Sequence, residues 1–198
     1  MWTFAYFMCK NIKKERNKMK RCSWVDLSSE EYIRYHDTEW GVPVYDDKKL
    51  FEMLLLEGFQ AGLSWLTILK RRGEFAKAFD NFDVKKIALY DENKISKLMQ
   101  NEKIIRNRLK IQATVSNAKV FMQIQKEWNG FSNYLWHWTD NQIIQGNGTL
   151  TRSDLSDKIS ADLQKRGMKF VGSVIIYSFL QAVGVINDHQ SDCFKKCS

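Results

Sequence analysis

Two groups of side chains in this sequence have the types and spacing to do chemistry. The first is a set of metal-type donors split between the ends of the chain: Cys22 and His36, fourteen positions apart, and His189-x-x-x-Cys193. Two thiolates and two imidazoles suit tetrahedral zinc. The second spacing places two ligands one helical turn apart or on a tight tail. Spacing alone leaves the other reading open, because cysteine is often a small buried hydrophobe and histidine a satisfied polar residue. A metal held by all four would have no open position, so its work would be structural, joining the beginning of the chain to its end. The third histidine, His137, stands between Trp136 and Trp138 and reads as a packing residue. The second group centres on Glu57. Four apolar residues, Met53 to Leu56, precede it, and Gly58-Phe59 follow. A carboxylate in that setting is expected to be partly buried near a helix C-terminus, where the helix dipole opposes negative charge. A cationic ligand would relieve the conflict; the plainer reading is an exposed acid at a helix end.

Helices are the elements that must position these groups, and helix signals recur. Ser28-x-x-Glu31 has the form of a capping box opening a helix through Tyr32, Ile33 and Tyr35. Asp46 or Asp47 caps a second, with Leu50, Met53 and Leu54 on one face and an end near Glu57-Gly58. Ser64 caps a third carrying Trp65, Ile68 and Leu69, and Asp83 and Asp91 cap two short ones. Residues 104–126 keep apolar side chains at helical spacing, from Ile104 and Ile105 through Ile111 to Met122. A short aromatic helix over 131–138 follows, then a loop at Gly146-Asn147-Gly148. A helix over 156–166 is stopped by Gly167, and an apolar one over 174–182 stops at Gly184. The β-branched runs are too few and too short for a sheet. The expected class is all-α, without internal repeats or low-complexity linkers.

The totals agree. The 198 residues hold 12 Phe, 7 Trp and 7 Tyr, ample for a packed core, and one proline, Pro43, which suits helices. The formal charge is +8. Lys10, Lys13, Lys14, Arg16 and Lys18 against the single Glu15 place +4 of it over residues 1–18, leaving +4 on the rest. That balance is compatible with a polyanionic partner and equally with a solvated surface. Residues 1–18 lack a helical stripe and read as a basic extension, with Met19 a candidate start and 19–198 the folded domain; a basic arm on nucleic acid is the alternative. The four cysteines need no disulfide framework in a chain with this core. There is no secretory leader pattern and no run of transmembrane length, so a reducing, cytoplasmic compartment without membrane contact is expected.

Six ordered blocks carry a resemblance to a known family. They are Arg21-Cys22-x-Trp24; Tyr35-His36-Asp37-x-Glu39-Trp40-Gly41-Val42-Pro43; the run Leu56-Glu57-Gly58-Phe59-Gln60-Ala61-Gly62-Leu63-Ser64-Trp65; Ile104-Ile105-Arg106-Asn107-Arg108-x-Lys110-Ile111; Lys165-Arg166-Gly167-Met168-Lys169-Phe170-Val171-Gly172; and Asn187-Asp188-His189-x-x-x-Cys193. Together they resemble the bacterial DNA-3-methyladenine glycosylase I family over residues 21–193. The resemblance implies a helix-hairpin-helix glycosylase fold with one structural zinc on Cys22, His36, His189 and Cys193. It implies a base pocket of Glu57, Tyr35 and Trp65, with Trp24, Tyr32 and Trp40 nearby. It implies a repair enzyme that hydrolyses the N-glycosidic bond of 3-methyladenine in double-stranded DNA; no lysine stands out as a Schiff-base nucleophile, so a monofunctional enzyme without lyase activity is expected, and a monomer. The residue types suit that chemistry. A methylated, cationic base attracts aromatic faces, and its amine protons suit the Glu57 carboxylate. The base must leave the stack, with Gly62-Leu63 placed to fill the vacated space. Arg106 and Arg108, in the hairpin block, are candidates to hold phosphate, or else solvated surface charges. Asp188 is expected to orient His189. One departure stands out: the family has glycine where this chain has Lys103, which leaves the hairpin turn in question. Two rivals remain on sequence alone, a damage-binding protein that does not cut and a hydrolase or deaminase with a catalytic metal.

Overall fold

The computed structural model describes residues 19–196; the expected basic extension over 1–18 and the extra Cys197 lie outside the described residues. The chain is built around one helix, α2 (Asp47–Gln60), which is buried almost all round: Leu50, Phe51 and every residue from Met53 to Phe59 are inside. A helix with no polar face must be surrounded, and α2 packs on four others: α3 (Trp65–Leu69), α7 (Arg108–Trp128), α8 (Phe131–His137) and α10 (Ser173–Ala182). Before it comes α1 (Glu30–Thr38). Between α3 and α7 lie α4 (Arg72–Ala78), a 3-10 turn at Asp80–Phe82, α5 (Val84–Ile87) and α6 (Glu92–Gln100). Helix α9 (Asp154–Lys165) packs on α10. The sequence reading expected β runs too few and too short for a sheet; the described residues hold one two-residue parallel bridge, β1 (Ile144–Gln145) with β2 (Ile186–Asn187). The class is all-α, and the core is dense in phenylalanine, with Phe121 and Phe131 stacked at 4.0 Å.

Local chemistry moved several expected boundaries. Helix α1 is capped by Ser29, whose hydroxyl accepts from the Tyr32 amide, and not by Ser28. Ser28 is turned back on Asp26, whose carboxylate accepts from both its amide and its hydroxyl. Asp46 caps α2 by accepting from the Lys49 amide. Asp47 serves another helix: its carboxylate accepts from the amides of Phe131 and Ser132, both at 2.8 Å, and from Gln125 Nε2 at 2.7 Å. It thereby satisfies the first turn of α8, whose own cap is Gly130 with no side chain to offer. Ser64, Asp83 and Asp91 cap α3, α5 and α6 as expected.

The long helix expected from Ile104 begins at Arg108, capped by Asn107 accepting from the Lys110 amide. Ile104 is buried in the turn that precedes it. Helix α6, this turn and α7 form a helix-hairpin-helix, with α6 packed on α7. Lys103 fits the turn without the left-handed backbone that would call for glycine, and its amide donates to Asn101 Oδ1 at 3.0 Å.

The two ends meet beside α1. The amides of Gly41 and Val44 donate to the carbonyls of Gln181 and Val183, each at 3.0 Å. Gly184 permits this crossing. Its φ is +73°, and a Cβ there would stand 2.3 Å from the Val42 carbonyl carbon. Among the described residues no helix is long and apolar enough to cross a membrane.

Candidate active site and metal centre

A cavity of about 380 Å³ opens where α1, the end of α2, the start of α3 and α10 converge. Helix α1 contributes Tyr32 and Tyr35, α2 contributes Glu57 and Gln60, and α3 begins at Trp65. Trp24 arrives from the segment before α1 and Trp40 from the one after it. All six residues expected at a pocket, Glu57, Tyr35, Trp65, Trp24, Tyr32 and Trp40, therefore line one cavity. The rings of Tyr35 and Trp65 lie 5.4 Å apart at 51°; Trp24 lies 5.3 Å from Tyr32 and 4.9 Å from Trp40.

Glu57 is 4% exposed and has no hydrogen-bond partner among the described residues. Burial alone pushes its carboxyl up to about 8. Burial, then the nearby charge of Glu57, raises the Tyr35 hydroxyl well above the usual range. Tyr32 is raised by burial, with Asp26 and Glu57 adding to it. Trp65 keeps its indole Nε1 buried without a partner. An acid poised near neutrality, inside aromatic walls and short of a counter-charge, suits a flat cationic ring that carries N–H donors.

The sequence reading placed Asp188 behind His189; the structure turns it toward the cavity. Its carboxylate accepts from the Gly148 amide at 2.6 Å, Gln181 Nε2 at 2.6 Å and the Tyr177 hydroxyl at 3.1 Å. The three donors draw it away from the imidazole, and with Ser178, Gln181 and Gln190 it forms a polar part of the wall. The carboxylate that does meet a candidate ligand is Asp37, and it meets the other histidine: its Oδ1 lies 2.9 Å from His36 Nδ1. Arg21 holds Asp37 in a two-pronged pair at 2.8 and 2.7 Å. That pair was missed, although each member stands directly beside a candidate ligand in sequence.

Cys22, His36, His189 and Cys193 come together in the interior, with all four donor atoms within 4.8 Å of one another. Cys193 Sγ lies 3.4 Å from His36 Nε2 and 3.5 Å from His189 Nδ1; Cys22 Sγ lies 3.5 Å from the same His189 nitrogen. Sulfur and nitrogen ligands of a tetrahedral zinc stand about 3.6 Å apart, given bonds of roughly 2.3 and 2.05 Å. The donor set and its spacing fit that ion. Burial foremost, with Cys193 adding to it, pushes the Cys22 thiol up to about 12, and burial pulls His189 down to about 4. The site is thus poor in positive charge, and a divalent cation would supply it. His36 is held from its far side by Asp37. The pocket and the four-donor cluster share a wall, since Trp40 lines the cavity and its ring stands 4.5 Å from that of His189.

Gly62 and Leu63 form the turn between α2 and α3, directly beside the cavity residues Gln60 and Trp65. Gly62 has φ +83° with open space around it, and Leu63 is 38% exposed. Arg106 and Arg108 lie apart from the cavity, at the hairpin and the first residue of α7. Arg106 pairs with Glu102 at 3.4 Å and Arg108 with Glu92, and both arginine side chains are about half exposed. The structure joins neither to the pocket.

Comparison with known proteins bears on this arrangement. A model of the methyladenine glycosylase family matches residues 24–196. DNA-3-methyladenine glycosylase 1 of Escherichia coli (strain K12) is 45% identical over 180 residues, covering 88% of this chain and 96% of that protein. The DNA-3-methyladenine glycosylase of Haemophilus influenzae is 42% identical over 183 residues, covering 90% and 98%. Among solved structures, 3-methyladenine DNA glycosylase I from Staphylococcus aureus, solved for the structural basis of 3-methyladenine recognition, superposes with a TM-score of 0.86 at 36% identity. It covers 90% of this chain and 97% of that one.

Proposed function

The chain belongs to the methyladenine glycosylase family, and from that premise we propose that it hydrolyses the bond between 3-methyladenine and deoxyribose in alkylated duplex DNA, leaving an abasic site. The observation that carries the reading is Glu57: a buried, unpaired acid in an aromatic cavity. Methylation at N3 gives the adenine a positive charge and weakens its bond to the sugar. The extruded base enters between Tyr35 and Trp65, with Trp24, Tyr32 and Trp40 completing the apolar surround. Its charge offsets the cost of ionising Glu57, whose carboxylate then accepts from the exocyclic amine. Unmodified adenine brings no charge and leaves the acid unrelieved.

The bond then breaks heterolytically. Its electron pair passes into the ring and neutralises the base, positive charge moves to the sugar, and water adds at C1′ and gives up a proton. The base is already a good leaving group, so positioning contributes more than proton donation. Glu57 supplies negative charge near the developing cation. Leu63, presented by Gly62, fills the space that the base vacates. Arg106 and Arg108 bind backbone phosphate by exchanging their surface carboxylate partners for it.

Cys22, His36, His189 and Cys193 would hold one zinc with no open position, so the metal supplies rigidity and takes no part in bond breaking. This argues against a metal-activated hydrolase.

Chromatography of bases released from methylated duplex DNA tests the reading. Wild type should release 3-methyladenine, and Glu57→Gln should lose on the order of 100-fold or more while binding undamaged DNA normally. Damage binding without base release would leave only a recognition protein, and full turnover by Glu57→Gln would remove that residue from the mechanism.

A further inference from the structure

Lys110 is a buried cation that the proposed chemistry does not use. It lies in the first turn of α7, immediately after the hairpin, and is 7% exposed. Two forces oppose a cation there. Burial strips its hydration, and a helix N-terminus is already the positive end of the dipole. The compensation comes from another element. The ammonium donates to the carbonyl of Phe59 at 2.8 Å and to that of Ala61 at 2.7 Å, and lies 5.9 Å from the centre of the Phe170 ring.

Those carbonyls end α2, whose last turn has no basic residue of its own. Past Ala61 the chain turns sharply through Gly62 and Leu63. The Leu63 amide donates to the Gln60 carbonyl at 2.7 Å, and the Gln60 side-chain amide donates to the Leu63 carbonyl at 3.1 Å. Lys110 therefore grips the backbone three residues and one residue before Gly62 from an anchor at the hairpin.

We propose that Lys110 is a positioning residue that locks the hairpin to the Ala61–Ser64 turn, so that the hairpin and Leu63 meet DNA as one rigid piece. The inference rests on the reading that Leu63 fills the space of the extruded base. A lysine that merely stabilised the fold would weaken every function alike. A positioning lysine acts through Leu63 and spares the pocket.

A double-mutant cycle separates the two. Lys110→Met, Leu63→Ala and the double variant are compared with wild type in single-turnover release of 3-methyladenine from methylated duplex DNA. Binding of free 3-methyladenine is measured in parallel by tryptophan fluorescence. Lys110→Met should slow release at least tenfold in the wild-type background and less than threefold in the Leu63→Ala background, with free-base affinity changed less than twofold in both. Equal losses in the two backgrounds, or an equal loss of free-base binding, overturn the proposal, as does undiminished release by Lys110→Met. If Lys110→Met does not fold, Lys110→Arg enters the same cycle, and its smaller loss must likewise disappear when Leu63 is absent. If wild type releases no base, or Leu63→Ala alone has no effect, the functional reading has failed and not the coupling by itself.

Discussion

Glu57 gains its chemistry from what surrounds it and not from a partner. Its carboxyl is raised from the ordinary 4.5 to about 8 by burial, so folding favours the protonated form. The unfolded chain ionises above about 4.5 and the folded chain above about 8. Stability from this residue is therefore full below the lower value, falls as pH rises through the window, and stays lost above it. Glutamine cannot ionise and escapes the loss. Glu57→Gln should match wild type in melting temperature near pH 4 and exceed it by at least about 5 °C at pH 8.5. Thermal melts of the free proteins at the two pH values check this, and a difference independent of pH would show that the acid is solvated. Much of this was legible in sequence, because apolar neighbours on both sides of Glu57 announce burial. The opposite orientations of Asp37 and Asp188 were not. Each adjoins a histidine in the chain, and only the fold reveals that Asp188 has three donors on the cavity side. Sequence adjacency names a candidate partner but carries no direction.

At the scale of helices, the start signals were mostly readable, because a cap acts within three residues of itself. Ser64, Asp83 and Asp91 obey that rule. Asp47 shows where it ends: it stands in the first turn of α2, yet its carboxylate closes α8 across 84 and 85 residues of chain. The apolar stripe from Ile104 misled for a related reason. Periodicity reports which residues are buried, and the hairpin turn buries Ile104 without being helical. Asp47 gives a direct test. Asp47→Ala would leave two amides at the start of α8 and the Gln125 side chain without their acceptor, while α2 keeps its own cap at Asp46. The loss of such a cap costs about 1–2 kcal/mol, which in a chain of this size is roughly 2–8 °C of melting temperature. Base release at 25 °C should stay within about threefold of wild type, because α8 contributes nothing to the pocket lining. A variant that melts like wild type would show the cap to be replaceable by water.

Across the whole molecule, the same closure builds the Cys2His2 cluster and the pocket. The segments near residues 22 and 190 meet at the four donors, and the Ser23 amide donates to Gln190 Oε1 at 2.7 Å beside them. Trp24 and Trp40 flank this junction and line the cavity, so whatever fixes the ends also fixes the aromatic wall. The sequence offered the four ligands but not the reason for them, which is that a wall built from both termini has no single element to hold it. Purified protein should carry one zinc per chain by elemental analysis, and Cys22→Ser with Cys193→Ser should carry none. A bound ion at about 1,000 times its dissociation constant adds about 4 kcal/mol, so its removal should lower the melting temperature by roughly 8–16 °C. The decisive comparison is activity against temperature. If the ion only holds the ends together, metal-free protein that is still folded at 10 °C should release base at a rate within a few-fold of the zinc form, and should lose activity along its own melting curve. Abolished release at 10 °C with an intact fold would instead put the metal into the chemistry, and a zinc content near zero in the freshly purified protein would leave the two ends joined by packing alone.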